Sequence, residues 1–188
     1  MWFRAFAPGA GVVDIRVAAS ADDAEENVSS GAVNLVSTDM ELVRDASVQV
    51  VGLRFANVQI PPGVRITKAH VQFATDETGS TATSLVIRGQ LAASAPAFLA
   101  KARNVSARPR TTAAVSWAPA PWLVIGEAGA GQRTPDLSAV VQEAIGAAGW
   151  AAGGPIVLLI TGQGRRTAEA FDGDRTLAPL LHVEFEPL

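Results

Sequence analysis

Carboxylates crowd two stretches of this chain of 188 residues. Asp22, Asp23, Glu25 and Glu26 stand almost side by side, and Glu169, Asp172 and Asp174 form a second group near the other end. Acids so closely spaced repel one another unless something cationic neutralises them. The two ends of a domain are often neighbours in space, so the groups could assemble one hard-oxygen site. Ca2+ takes about six to eight oxygen ligands, and the Gly173 carbonyl with the carboxylates of Asp76 and Glu77 would extend the set. No EF-hand loop is present, because the spacing Asp-x-Asp-x-Asp-Gly does not occur. The plainer alternative is solvated acidic loops countered by Arg165, Arg166 and Arg175.

A second group has the chemistry of ligand capture. Arg54, Lys68, His70, Gln72, Arg88, Gln90 and His182 all fall on the polar parity of alternating segments. Arg forks grip carboxylates through paired hydrogen bonds, whereas Gln and His reach hydroxyls. A uronic-acid polymer presents both kinds of group. Trp117 and Trp122 offer a sugar-stacking platform or, equally, buried aromatic anchors. The plainer alternative is an antiparallel sheet turning its polar side to water.

Catalysis finds less support. With no cysteine there is no thiol nucleophile, disulfide or Cys-based zinc site, and two histidines exclude a three-histidine metal centre within one chain. No Gly-x-Ser-x-Gly elbow occurs. Gly162-Gln163-Gly164 leads into no convincing helix and is no nucleotide-binding fingerprint. Asp76 and Glu77 are adjacent, so a regular strand would send them to opposite faces and deny them the pairing a glycosidase needs. A small polysaccharide hydrolase or lyase using His70 or His182 is therefore the least favoured reading. Basic residues are scattered, the net charge is −3, and no nucleic-acid footprint exists. No run approaches the roughly 18 apolar residues of a bilayer span. Met1–Val13 lacks a secretory pattern and is expected to be loosely ordered, so an export signal would lie elsewhere.

These side chains need a scaffold, and period-2 alternation supplies one. Val48–Val58, Ile66–Phe73, Ser84–Leu91 and Leu180–Glu186 each read as strands with one buried and one wet face. Ile156–Ile160 is continuously apolar and should be covered on both faces. Weaker strands are expected at Asp14–Ala18, Ala32–Ser37, Glu41–Arg44, Ala113–Trp117 and Trp122–Ile125. Leu137, Val140, Val141, Ala144, Ile145 and Ala148 mark one helix near 135–149, with Thr134 as cap, Pro135 in the first turn and Gly149 closing it. A short helical turn is expected over Ala97–Ala102. With 48% hydrophobic and 18% charged residues, no linker and no repeat, residues 1–188 read as one all-β domain, an antiparallel, jelly-roll-like β-sandwich with one α-helix.

Several segments occur in a familiar order: Asp22-Asp23-Ala24-Glu25-Glu26, Val51-Gly52-Leu53-Arg54-Phe55, Ile60-Pro61-Pro62-Gly63, Gln72-Phe73-Ala74-Thr75-Asp76-Glu77, Thr134-Pro135-Asp136-Leu137-Ser138 and Ala178-Pro179-Leu180-Leu181-His182-Val183. Together they resemble accessory β-sandwich modules of large secreted bacterial proteins. More distantly they resemble DNRLRE-type domains, jelly-roll carbohydrate-binding modules of which some bind alginate, although the motif naming that family does not occur. The resemblance implies an extracellular or secreted setting, neighbouring domains in a larger protein, and non-catalytic binding of a polysaccharide, uronic-acid polymers included; the structural Ca2+ expected with it rests on the acidic groups. The alternative role is a structural or adhesive spacer without a ligand. No membrane or nucleic-acid partner is expected.

Overall fold

The computed structural model describes residues 9–188. Of the segment expected to be loosely ordered, residues 1–8 lie outside the described residues, and Gly11 onward already belongs to a strand. The strands are β1 (Gly11–Arg16), β2 (Asp23–Asn27), β3 (Val33–Asn34), β4 (Asp39–Glu41), β5 (Gln49–Val58), β6 (Val64–Gln72), β7 (Thr75–Glu77), β8 (Ser84–Gln90), β9 (Arg110–Trp117), β10 (Gly154–Gln163), β11 (Thr167–Glu169) and β12 (Leu180–Pro187), with one helix, α1 (Ser138–Ile145). Three antiparallel sheets result, in the orders β1-β12-β6, β3-β2-β5-β10-β8-β9 and β4-β11-β7. The inward residues of the two larger sheets share one core: Val51, Leu53 and Phe55 of β5 and Ile156, Leu158 and Ile160 of β10 meet Val71 of β6 and Leu181 and Val183 of β12. Burying each such side chain contributes about 1.5–3 kcal/mol. The architecture is an all-β antiparallel sandwich.

β10 is covered on both faces, as its unbroken apolar run requires. Its other parity, Val157 and Leu159, packs with Ala24, Val50, Ala95, Phe98 and Val105. The cover is the long connection between β8 and β9, which lies over the outer face of the six-stranded sheet. Gly52 admits it, since a Cβ there would stand 2.5 Å from Phe98 Cζ. Arg108 clamps it from within, donating to the carbonyls of Asn104, Pro96 and Ala97 and to Gln90 Oε1, with its guanidinium 4.2 Å from the Phe98 ring centroid. No helical turn forms over Ala97–Ala102, because carbonyls that would make it are taken by Arg108.

The helix is shorter than its apolar periodicity predicts. Thr134 Oγ1 accepts from Val71 N at 3.0 Å, and Asp136 Oδ1 accepts from Ala69 N at 3.0 Å. Thr134 thus serves strand β6 and does not cap the helix; Gly149, at φ +93°, falls beyond the helix end. On α1 itself Gln142 Oε1 accepts from Ile66 N of β6, while both oxygens of Glu143 accept from Thr112 N and Ala113 N of β9. One helix thereby covers an edge of each large sheet.

Trp122–Ile125 is not a strand. Trp122 makes a single bridge to Gly79 and is fully buried, its Nε1 donating to Gly131 O at 3.0 Å, while Leu123, Val124 and Ile125 are exposed. The expected strand at Ala32–Ser37 shrinks to β3, and that at Glu41–Arg44 shifts to β4. No helix of the described residues is long and apolar enough to cross a membrane.

Candidate functional site

The acidic groups converge. β2 adds to β5 in one sheet and presents Asp23 and Glu25 towards the small sheet β4-β11-β7, so that Asp23, Glu25, Asp39 and Ala170 line one small cavity. Asp23 Oδ2 accepts from Phe171 N at 2.8 Å, and Asp172 Oδ1 accepts from Ser20 Oγ at 2.8 Å, joining the first acidic stretch to the second. In the small sheet Glu169 stands opposite Asp39, and Thr167 opposite both Glu41 and Glu77. Ligand atoms of Asp39, Asp76 and Glu77 lie within 4.8 Å of one another. This corrects the expectation that Asp76 and Glu77 diverge: the register of β7 on β11 slips between Thr167 and Ala168, and regular alternation fails there. An open cleft of about 470 Å3 adjoins the cluster, and Asn27, Asn34, Ser37, Ser47 and Gln49 line it beside Glu25 and Glu41.

The electrostatics match the crowding. Burial, then Asp172 and Asp22, push the Asp23 carboxyl up to about 7, against the pull of the Phe171 N–H. Burial and the neighbouring Asp76 push Glu169 up to about 7. Burial, and then Glu41, push the Glu25 carboxyl up to about 9, and burial raises Glu41 as well; the Glu41 N–H donates to Glu25 Oε1 at 2.8 Å. Burial and Asp39 raise Asp76 as well.

Other members of the acidic set are spent elsewhere. Asp22 is ion-paired with Arg54 at 2.6 Å. Glu26, one residue on from Glu25 and so on the opposite face, accepts from Val105 N and Ser106 N under the β8–β9 connection. Asp174 caps its own turn at Thr176. Among the candidate counter-cations, Arg165 pairs with Glu77, Arg175 stacks over Phe171, and Arg166 is buried on carbonyls of Thr81, Pro119 and Ala120.

The expected polar face does not form as one surface. Lys68, His70, Gln72 and His182 lie on the three-stranded sheet, and Arg54, Arg88 and Gln90 on the six-stranded one. Within the first group Lys68 pairs with Glu184, His70 stacks on His182 at 4.7 Å, and His182 is held between Asp14 and Glu184. Gln72 donates to Gly129 O and accepts from Arg133. In the second group Arg54 also donates to Ala95 O, Arg88 donates to Thr111 O and Thr112 O, and Gln90 is buried under the β8–β9 connection. Trp117 and Trp122 are buried anchors around Phe73, so they form no stacking platform.

Asp39 and Glu41 escaped the sequence reading. Their signal was the alternation Asp39-Met40-Glu41, a buried Met between two carboxylates. No family model matches the chain, and no curated protein matches it.

Proposed function

We propose that the chain is a non-catalytic recognition module for an extracellular polysaccharide, with a Ca2+ ion held at its acidic end. The observation that carries the reading is the convergence of carboxylates from β2, β4, β7 and β11 beside an open cleft lined with amides and hydroxyls. Two oxygens about 2.4 Å from one ion stand at most about 4.8 Å apart, and the ligand atoms of Asp39, Asp76 and Glu77 all lie within that limit of one another. These are hard donors suited to Ca2+, and Glu169 would complete the set. Bound there, the ion would offset the burial that pushes Glu169 up to about 7 and raises Asp76. Asn34, Ser37 and Gln49 would take sugar hydroxyls, and a vacant position on the ion would take a uronate carboxylate.

The test is calorimetric titration with CaCl2, followed by affinity electrophoresis in polysaccharide gels with Ca2+ or with EDTA. Ca2+ should bind and raise Tm, and retention should weaken in EDTA. Absence of any Ca2+ response in wild type would defeat the metal reading. A spacer role is favoured by one separate observation: Asp14, Arg65, Lys68, Glu184 and Glu186 on the sheet β1-β12-β6 are consumed in internal pairs. No retention on any polysaccharide gel, with or without Ca2+, would establish that alternative.

A further inference from the structure

The β8–β9 connection does more than cover the sheet. With the end of β8 it bounds a cleft of about 370 Å3, within the ordinary range of small-ligand sites at about 300–1,000 Å3. Gln90, Pro96, Lys101, Arg103, Asn104 and Arg108 stand in its wall. Among the described residues no carboxylate pairs with Lys101, Arg103 or Arg108. Arg108 is buried and spends its donors on neutral acceptors, so its charge is fixed in place and uncompensated. Lys101 and Arg103 are exposed at the rim.

Two details point to a ligand. Arg103 holds φ +61°, a conformation that L residues rarely adopt, and its N–H donates to Gly31 O at 2.8 Å while its stem packs on Gly31. Backbone strain is thus retained where it fixes the root of a free guanidinium beside the cleft. Gln90 is 6% exposed; its Oε1 accepts from Arg108, and its amide N–H groups meet no acceptor among the described residues. Gln90 thus stands in the wall of a positively charged cleft with donors that no protein acceptor takes, in a protein of net charge −3.

We propose that this cleft binds the carboxylate of an acidic sugar residue. Lys101 and Arg103 supply the charge partners, Arg108 supplies the fixed field, and Gln90 donates to an oxygen of the ligand. The apolar edges of Pro96 and Pro109 suit a sugar ring. The ligand class rests on the polysaccharide reading above, but the cleft requires no metal ion, and that separates the two in experiment.

The probe is a set of short sodium alginate oligomers, titrated calorimetrically in EDTA so that Ca2+ contributes nothing. Wild type should bind, and added NaCl should weaken binding, because the contacts are between charges and partly exposed. Lys101→Ala with Arg103→Asn should cost roughly tenfold or more in affinity, about 1.4 kcal/mol, with Tm unchanged; Asn tolerates the left-handed backbone that Arg103 occupies. Gln90→Leu should weaken binding without altering the salt dependence. Failure of wild type to bind in EDTA overturns the proposal, as does a double variant that binds like wild type. Binding that needs Ca2+ and ignores the double variant leaves the acidic cleft standing and eliminates this one.

Discussion

Replacing Asp23 by Asn tests whether the acidic end is built around a cation. Asp23 is 5% exposed, and burial pushes its carboxyl from an ordinary 3.8 to about 7. Without a cation the native carboxyl keeps its proton between those values, while the unfolded chain gives its proton up. A raised carboxyl therefore contributes its stability in full below about pH 4 and loses it as the pH climbs through 7. By pH 8 the native state bears the whole penalty. The gap is roughly three pH units, about 4 kcal/mol at 1.36 kcal/mol each. Asn keeps the size and the oxygen that accepts from Phe171 N, but it cannot ionise. In EDTA at about pH 8, Asp23→Asn should therefore be the more stable protein, by up to about 4 kcal/mol. At about 2–4 °C per kcal/mol for a chain this long, Tm rises by about 10 °C. The advantage should close towards pH 4. Excess CaCl2 should reverse the order, because an ion bound only to the native state stabilises wild type by mass action. Scanning calorimetry at both pH values, with EDTA and with CaCl2, measures all four quantities. A variant less stable than wild type at pH 8 in EDTA would refute the electrostatic argument. Equal Ca2+ responses in the two proteins would remove Asp23 from the ion's surroundings.

Arg166→Lys should destabilise by about 2–4 kcal/mol in chemical denaturation, since an ammonium cannot serve the carbonyls of Thr81, Pro119, Ala120 and Arg165 together with Thr83 Oγ1. Gly52→Ala should cost about 1–3 kcal/mol by forcing Phe98 and Val105 from the sheet, seen as a lower Tm. His70, buried and close to Arg133, has its pKa lowered to about 4. Its contribution to stability is present above 6.5 and lost as the pH falls towards 4. An NMR titration midpoint near 6.5 would contradict that assignment.

Alternation alone located the large strands, because each has a core face, and the continuous run at Ile156–Ile160 announced cover on both sides. It could not reveal what the cover was. The connection carrying Ala95, Phe98 and Val105 has no periodicity of its own, and it turns the outer face around Arg54 and Gln90 from wet to buried. That is why residues of one parity did not become one binding face. β2 was hidden for a different reason: its carboxylates read as loop, yet neighbouring strands and backbone N–H groups hold them in extended conformation. Thr134 misled the helix boundary because its oxygen fits a cap, and a strand edge claimed it first. The meeting of the two acidic stretches was legible from their placement along the chain; the contributions of Asp39 and Glu41 depended on strand pairing.

Adjacent residues of α1, Gln142 and Glu143, occupy amides on β6 and β9 that another chain would otherwise use as a template. Unpaired strand flanks invite copies of a protein to stack end upon end. With those two guarded, the remaining flanks of the two larger sheets among the described residues belong to the two-residue β3 and to β1, where charged Asp14 and Arg16 interrupt the row. A module so protected can be crowded beside its own duplicates without recruiting them into fibres, and loss of this short helix would turn a solitary fold into a sticky one.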